Sequence, residues 1–173
     1  MYALSDADKV WNRAAMEAGG SEPRSGDRAL ADLLLFHSLA MNGGVLQALE
    51  ELSAENVKDA IQGFRYFELH GVAVVVADAA ARREHSGSSL AELATLERGF
   101  DHAHSTVVPD DATIVRKFEV LYARQAADFA PCNAAAARRR GPTGEAPASE
   151  DGCSWPCGAL FAMRGRPQTS RRQ

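Results

Sequence analysis

Residues 30–47 read LADLLLFHSLAMNGGVLQ and form the most apolar stretch of the chain. Their apolar side chains recur at the three- and four-residue spacing that places them on one face of a helix. This face consists of Leu30, Leu33, Leu34, His37, Ala40 and Met41. Leu35, Phe36 and Leu39 cover much of the remaining circumference, which is typical of a helix surrounded by others. The stretch therefore predicts a central, buried helix.

The motif Met-Asn-Gly-Gly-Val-Leu-Gln, residues 41–47, ends this helix. Asn42 is expected to adopt the left-handed conformation, and Gly43 and Gly44 let the backbone reverse without steric cost. Gln47, one turn into the next helix, is expected to hydrogen-bond the unpaired carbonyl groups of the loop. We interpret these four residues as a structural motif that fixes the angle between two helices. Contact of the loop with a ligand is the alternative.

Helical spacing recurs through the first 130 residues. Ser5 and Asp8 resemble a capping box, Ser53 can cap a later helix, and Ser89 begins a full capping box. The β-branched run 72–76 is ambiguous, but a lone strand has no partner, and the Ala-rich continuation favours a helix. We therefore predict an all-α fold, a compact bundle of six to seven helices followed by a disordered C-terminal tail.

Charge divides the chain at about Pro131. The whole chain carries a formal charge of −4, but residues 1–130 hold 20 acidic and 12 basic residues, and residues 131–173 hold 3 and 7. All three cysteines and five of the seven prolines lie in the second part. We predict one helical domain at 1–130 and a low-complexity tail at 131–173.

The tail has two possible origins, a natural disordered extension or an out-of-frame translation of a GC-rich gene. Ala, Gly, Pro and Arg, which have the most GC-rich codons, make up 25 of its 43 residues. For this reason we favour the second origin. Sequencing of the coding region tests it, because an intact reading frame through codon 131 would contradict it.

Two features predict a cytoplasmic protein that does not contact a membrane. No run of eighteen apolar residues occurs, which argues against a membrane-spanning helix. The first ten residues also lack the basic start and apolar core that are typical of a signal peptide.

The block from residue 26 to about residue 80 resembles the DMP-type family of small, all-helical, DNA-mimic-like proteins. The resemblance is carried by His37 and by the Asn-Gly-Gly-x-x-Gln pattern at 42–47, with an Ala- and aromatic-rich segment at 60–67. Val45 and Leu46 depart from the family, because many members carry an aromatic residue after Asn-Gly-Gly. The resemblance implies an all-α fold over about residues 5–130 and a binding protein without known enzymatic chemistry. For one branch it implies mimicry of DNA by a carboxylate-rich surface.

A cluster of carboxylates follows the motif within ten positions. Its members are Glu50, Glu51, Glu55 and Asp59. Lys58 is the only base among them, and mimicry of DNA needs carboxylates displayed at a phosphate-like density. Three of the four are spaced four residues apart, so one helical edge presents them together if the break at Ser53 is smooth. The alternative is a solvated face that keeps the protein soluble.

Histidines are the other candidate residues for chemistry. His37 lies on the apolar helix face and is expected to be a core residue bonded to a backbone carbonyl. His102 and His104 lie beside Asp101, but residues two apart on a helix point to different sides. The three cysteines lack a fourth ligand for structural zinc. We therefore expect no metal site and no cofactor.

We conclude from the sequence that the chain is a non-enzymatic protein that binds another protein through its acidic helices. The partner would be a nucleic-acid-binding regulator whose binding site the acidic surface occupies, and we do not expect this domain to bind nucleic acid itself. One alternative is a helical enzyme that uses His37, or His102 and His104, with carboxylates. Another is a DNA-binding accessory that acts through its basic tail, where residues 164–167, Arg-Gly-Arg-Pro, match a minor-groove hook.

Overall fold

The computed structural model describes residues 4–85, 89–108 and 110–132. Within these residues the chain forms seven α-helices and no β-strand, which confirms the predicted all-α bundle. The elements are α1 (Asp6–Glu17), α2 (Ser25–Gly43), α3 (Val45–Glu51), α4 (Ala54–Tyr66), α5 (His70–His85), α6 (Leu90–Val107), α7 (Asp111–Arg124) and a 3₁₀ turn (Ala126–Asp128). The predicted tail lies outside the described residues, apart from Pro131 and Cys132. None of the described helices is both long enough and apolar enough to cross a lipid bilayer.

Serine side chains begin three of the helices, at the positions that the sequence predicts. Ser5 Oγ accepts a hydrogen bond from the Asp8 N–H at 3.1 Å, and the Asp8 carboxylate accepts one from the Ser5 N–H at 3.2 Å. Ser53 and Ser89 each accept a hydrogen bond from the amide three residues later. These caps satisfy N–H groups that have no partner within the helix.

Helix α2 lies at the centre of the bundle and packs against α1, α3 and α4. Leu30, Leu33 and Phe36 have no exposed surface, which confirms the prediction of a buried central helix. Met41 was predicted on the same buried face but is 54% exposed. It lies in the last turn of α2, where the helix reaches the surface before the junction with α3.

The ambiguous valine run belongs to α5, as predicted. Val72, Val76 and Ala79 are buried at helical spacing, so α5 presents one apolar face to the core. The chain reaches α5 through a turn at Glu68, whose φ of 56° lies in the left-handed region. This turn sets the direction of α5 against α4.

The close contact between α2 and α4 depends on Gly63. A Cβ atom at this position would stand 2.5 Å from the carbonyl oxygen of Ala29 and 3.3 Å from Leu33 Cβ. The obstacle at 2.5 Å is backbone, which cannot swing aside as the end of a long side chain can. Gly99 on α6 is the opposite case, because no atom lies within 4 Å of its Cβ position.

The substitution Gly63→Ala is expected to lower the free energy of unfolding by about 1–3 kcal/mol, because the added methyl group overpacks a buried contact. This loss outweighs the helix preference of Ala over Gly, which is worth about 1 kcal/mol. Gly99→Ala is the matched control and is expected to stabilise the protein by up to about 1 kcal/mol. Urea denaturation of both variants measures the difference. A stabilising Gly63→Ala would contradict the close approach of α2 and α4.

The segment after α7 is attached to α1 and α2 by the buried carboxylate of Asp27. Asp27 has no exposed surface, and its Oδ1 accepts a hydrogen bond from Arg13 Nη2 at 2.6 Å. Its Oδ2 accepts hydrogen bonds from the Ala130 N–H at 2.6 Å and the Arg24 N–H at 3.1 Å. Arg13 Nη2 also donates to the Ala130 carbonyl at 2.7 Å. One carboxylate therefore joins three separate parts of the chain.

A second contact holds the same segment. The Tyr66 hydroxyl donates to Asp128 Oδ2 at 2.6 Å, and burial together with this bond raises the pKa of Tyr66 to about 12. Phe129, which is 2% exposed, packs its ring against those of Phe118 and Tyr122. The described residues after α7 thus contribute to the core of the bundle.

Candidate functional site

The Asn-Gly-Gly motif forms the junction between α2 and α3. Gly44 alone links the two helices, with a φ of 91° that favours glycine, and its N–H donates to the Ala40 carbonyl at 2.9 Å. The prediction of a left-handed Asn42 is wrong, because Gly44 takes the unusual conformation instead. Asn42 continues α2, and its Nδ2 donates to the Ser38 carbonyl at 2.8 Å.

Gln47 and Asp101 complete this junction. The Gln47 amide lies against Gly43, where a Cβ atom would overlap it. Gln47 Nε2 donates to Glu51 Oε1 at 2.8 Å, so its predicted role of binding loop carbonyls is wrong. The N–H of Val45 at the start of α3 donates to Asp101 Oδ1 of α6 at 2.8 Å. No local signal could have identified Asp101 as this cap, because 56 positions separate the two residues.

The predicted carboxylates lie on two helices and are all exposed. We call Glu50 and Glu51 of α3, with Glu55 and Asp59 of α4, the acidic surface. Residues 52 and 53 are extended, with ψ of 145° and 156°. The break between α3 and α4 is therefore not smooth, and the predicted single helical edge does not form. Glu55 and Asp59 do share an edge of α4.

The acidic surface is only partly neutralised. Glu50 Oε1 lies 3.9 Å from Arg83 Nη2 of α5. The sequence suggested Lys58 as the only base near the carboxylates, but Arg83 is a second one. Among the described residues, no Lys or Arg nitrogen lies within 4.0 Å of the other three carboxylates. These three are Glu51, Glu55 and Asp59.

A fifth carboxylate, Asp32 of α2, lies near this surface. Burial of its side chain and the negative charge of Asp59 both raise the pKa of Asp32, while Arg28 lowers it. Asp59 therefore lies close enough to Asp32 to repel its charge.

His37 is a core residue, as predicted, but its partner is a carboxylate rather than a backbone carbonyl. His37 is 5% exposed, and its Nε2 lies 3.0 Å from Asp111 Oδ1 at the start of α7. A His–Asp pair is an arrangement that general bases use. The other ring nitrogen, Nδ1, is buried and has no hydrogen-bond partner in the part of the chain that the structure describes. The geometry indicates a pair between a buried histidine and an exposed carboxylate that fastens α7 to α2.

His104 lies beside His37, with their ring centroids 5.6 Å apart. It is 3% exposed, whereas His102 is exposed, because the two lie on different sides of α6 as helix geometry predicts. Burial, followed by the neighbouring His37, lowers the pKa of His104 to about 4, and Asp101 opposes this shift. His104 is therefore neutral at pH 7.

The candidate site thus consists of two parts. One is the exposed acidic surface, and the other is the pair of buried histidines, His37 and His104. No group of three or more His, Cys, Asp or Glu side chains in the described part of the chain is arranged to hold a metal ion. Comparisons with known protein families, with curated proteins and with solved structures find no match.

Proposed function

We propose that the protein is a non-enzymatic interaction module that binds a basic protein through the acidic surface. The observation that carries this proposal is the exposure of Glu51, Glu55 and Asp59 without a Lys or Arg nitrogen of the described residues within 4.0 Å. Carboxylates that form no ion pair within the described residues attract a basic partner and give up no such ion pair when it binds.

Repulsion within the free protein favours the same kind of partner. Burial is the main cause of the raised pKa of Asp32, and the charge of Asp59 adds to it, which indicates that the two carboxylates repel each other. A Lys or Arg side chain placed between α2 and α4 would attract both carboxylates and offset this repulsion. Binding of a basic partner is therefore expected to lower the pKa of Asp32.

The partner that we propose is a nucleic-acid-binding regulator in the cytoplasm. Such proteins carry Lys and Arg side chains that bind phosphates, and exposed carboxylates can occupy the same positions. The excess of acidic residues in positions 1–130 would steer the encounter and repel DNA itself. The resemblance of the 42–47 motif to DNA-mimic-like proteins supports the same choice. The proposed interaction needs no cofactor.

Affinity capture from host lysate tests the proposal with a charge-matched pair of triple variants. Glu51→Gln, Glu55→Gln and Asp59→Asn together remove three charges from the acidic surface. Each exposed ion pair contributes up to about 1 kcal/mol, so we expect capture of the basic partner to weaken about tenfold or more. Raising the salt concentration should weaken capture by the wild-type protein as well.

The control variant removes the same number of charges elsewhere. In this variant Gln replaces three exposed glutamates, Glu92, Glu97 and Glu119. This variant should capture the partner as well as the wild-type protein does. Equal loss in both variants would mean that net charge alone matters and would contradict a defined binding surface.

A further inference from the structure

A cationic groove lies between α7 and the turn that joins α4 to α5, with a volume of about 360 Å³. The acidic surface does not contribute to it. Its lining includes Glu68 of the turn and Thr113, Arg116, Lys117, Val120 and Arg124 of α7. In a domain with 20 acidic and only 12 basic residues, three of the basic residues meet here. The groove therefore differs in charge from the chain as a whole.

Glu68 already places one carboxylate among these cations. Its Oε2 lies 3.4 Å from Lys117 Nζ, and its Oε1 lies 3.9 Å from Arg124 Nη1. Arg116 donates to Thr113 Oγ1 at 3.1 Å and lies 3.9 Å from Asp110. The space between Lys117 and Arg124 thus accommodates an oxyanion.

The Glu68 carboxylate is held there weakly. All three side chains of the ion pairs are between 41% and 64% exposed, and exposed pairs contribute at most about 1 kcal/mol. Glu68 also has a left-handed backbone, an unfavourable conformation for a residue with a Cβ atom. A soluble anion can therefore compete with Glu68 for Lys117 and Arg124.

The groove also offers apolar surface beside the cations. Val120, which is 49% exposed, supplies most of this surface, because Phe67 and Leu121 also line the groove but are almost fully buried. The volume falls in the range of small-molecule sites, which bind an apolar body and fix it with a few polar groups. The groove is therefore of a size that a small molecule can fill.

We propose that the cationic groove binds a small amphiphilic carboxylate. The carboxylate of the ligand replaces that of Glu68 between Lys117 and Arg124. Its apolar chain covers the exposed side chain of Val120. This site is independent of the interaction proposed for the acidic surface, because none of the residues involved is shared.

Titration of the ¹⁵N-labelled full-length protein with decanoate, below its micellar concentration, tests the proposal by NMR. We expect saturable shifts at the amides of Lys117, Val120 and Arg124. Decyltrimethylammonium, which has the same chain length and the opposite charge, should not cause them. Saturable shifts of the same amides with decyltrimethylammonium would overturn the proposal. The absence of saturable decanoate shifts in α7 would overturn it as well.

Three variants and a second anion locate the binding groups. Glu68→Gln frees the two cations and should tighten decanoate binding about three- to fivefold, whereas Arg124→Gln should weaken it by a similar factor. Arg98→Gln, on the exposed side of α6, is the matched control and should change nothing. Unchanged affinity in both groove variants would overturn the proposal. Binding of inorganic phosphate as tightly as decanoate would also overturn the proposal, because the apolar part of the groove would then contribute nothing to the affinity.

Discussion

The substitution Asp27→Ala is expected to lower the free energy of unfolding by about 3–5 kcal/mol, because it breaks a buried ion pair and leaves one charge unpartnered. Asp27 is fully buried, and the partner charge is on Arg13, whose side chain is 18% exposed. The variant also leaves the N–H groups of Ala130 and Arg24 without their carboxylate acceptor. The segment after α7 would then be held to α1 and α2 only by the bonds that do not involve Asp27, such as that from Arg13 Nη2 to the Ala130 carbonyl.

Urea denaturation followed by circular dichroism measures this effect. Asp78→Ala is the matched control, because Asp78 forms an exposed ion pair with Arg82 at 3.1 Å. Loss of that pair should cost no more than about 0.5 kcal/mol. If Asp27→Ala costs as little as Asp78→Ala, the hydrogen bonds and the ion pair of Asp27 do not stabilise the bundle.

The stability of the protein is expected to fall as the pH decreases from about 6.5 to 4, because His104 is buried in its neutral form. In the unfolded chain the pKa of this histidine is near its ordinary value of 6.5, and in the folded protein it is about 4. The unfolded chain therefore binds a proton first, and the stability that is fully present above pH 6.5 is lost on acidification. The difference corresponds to about 3 kcal/mol at pH 4.

A matched pair of histidine variants isolates this contribution from that of the carboxylates. His104→Gln should show a flatter stability profile between pH 6.5 and 4 than the wild-type protein does, whatever its stability at pH 7. His102→Gln, which changes an exposed residue on the same helix, should keep the wild-type profile. Identical profiles for the wild type and His104→Gln would contradict the burial of neutral His104.

Local sequence patterns predicted the helices well, because caps and apolar spacing act over three or four residues. Ser5, Ser53 and Ser89 begin helices where expected, and Val72 and Val76 occupy the buried face of a helix. The prediction of α2 as the central helix follows from the same rule, since a helix that is apolar on most sides must be surrounded.

Contacts between distant parts of the chain could not be predicted. Asp27 binds Ala130, Asp101 caps α3, and Asp111 pairs with His37, yet none of these carboxylates has a local signal for its partner. The acidic residues were identified from the sequence, but their arrangement was not. Two extended residues between α3 and α4 interrupt the helical spacing, and such a break depends on how the helices pack.

Competition with DNA tests the proposal that the acidic surface occupies the nucleic-acid site of a basic partner. Fluorescence anisotropy of a labelled duplex bound to the captured partner measures displacement of the DNA. We predict that the wild-type protein displaces the duplex. The triple variant of Glu51, Glu55 and Asp59 should displace it only at a protein concentration about tenfold higher or more. Displacement should be unchanged in the triple variant of Glu92, Glu97 and Glu119. Simultaneous binding of DNA and this protein to the partner, or direct binding of the duplex to this protein, would contradict the claim.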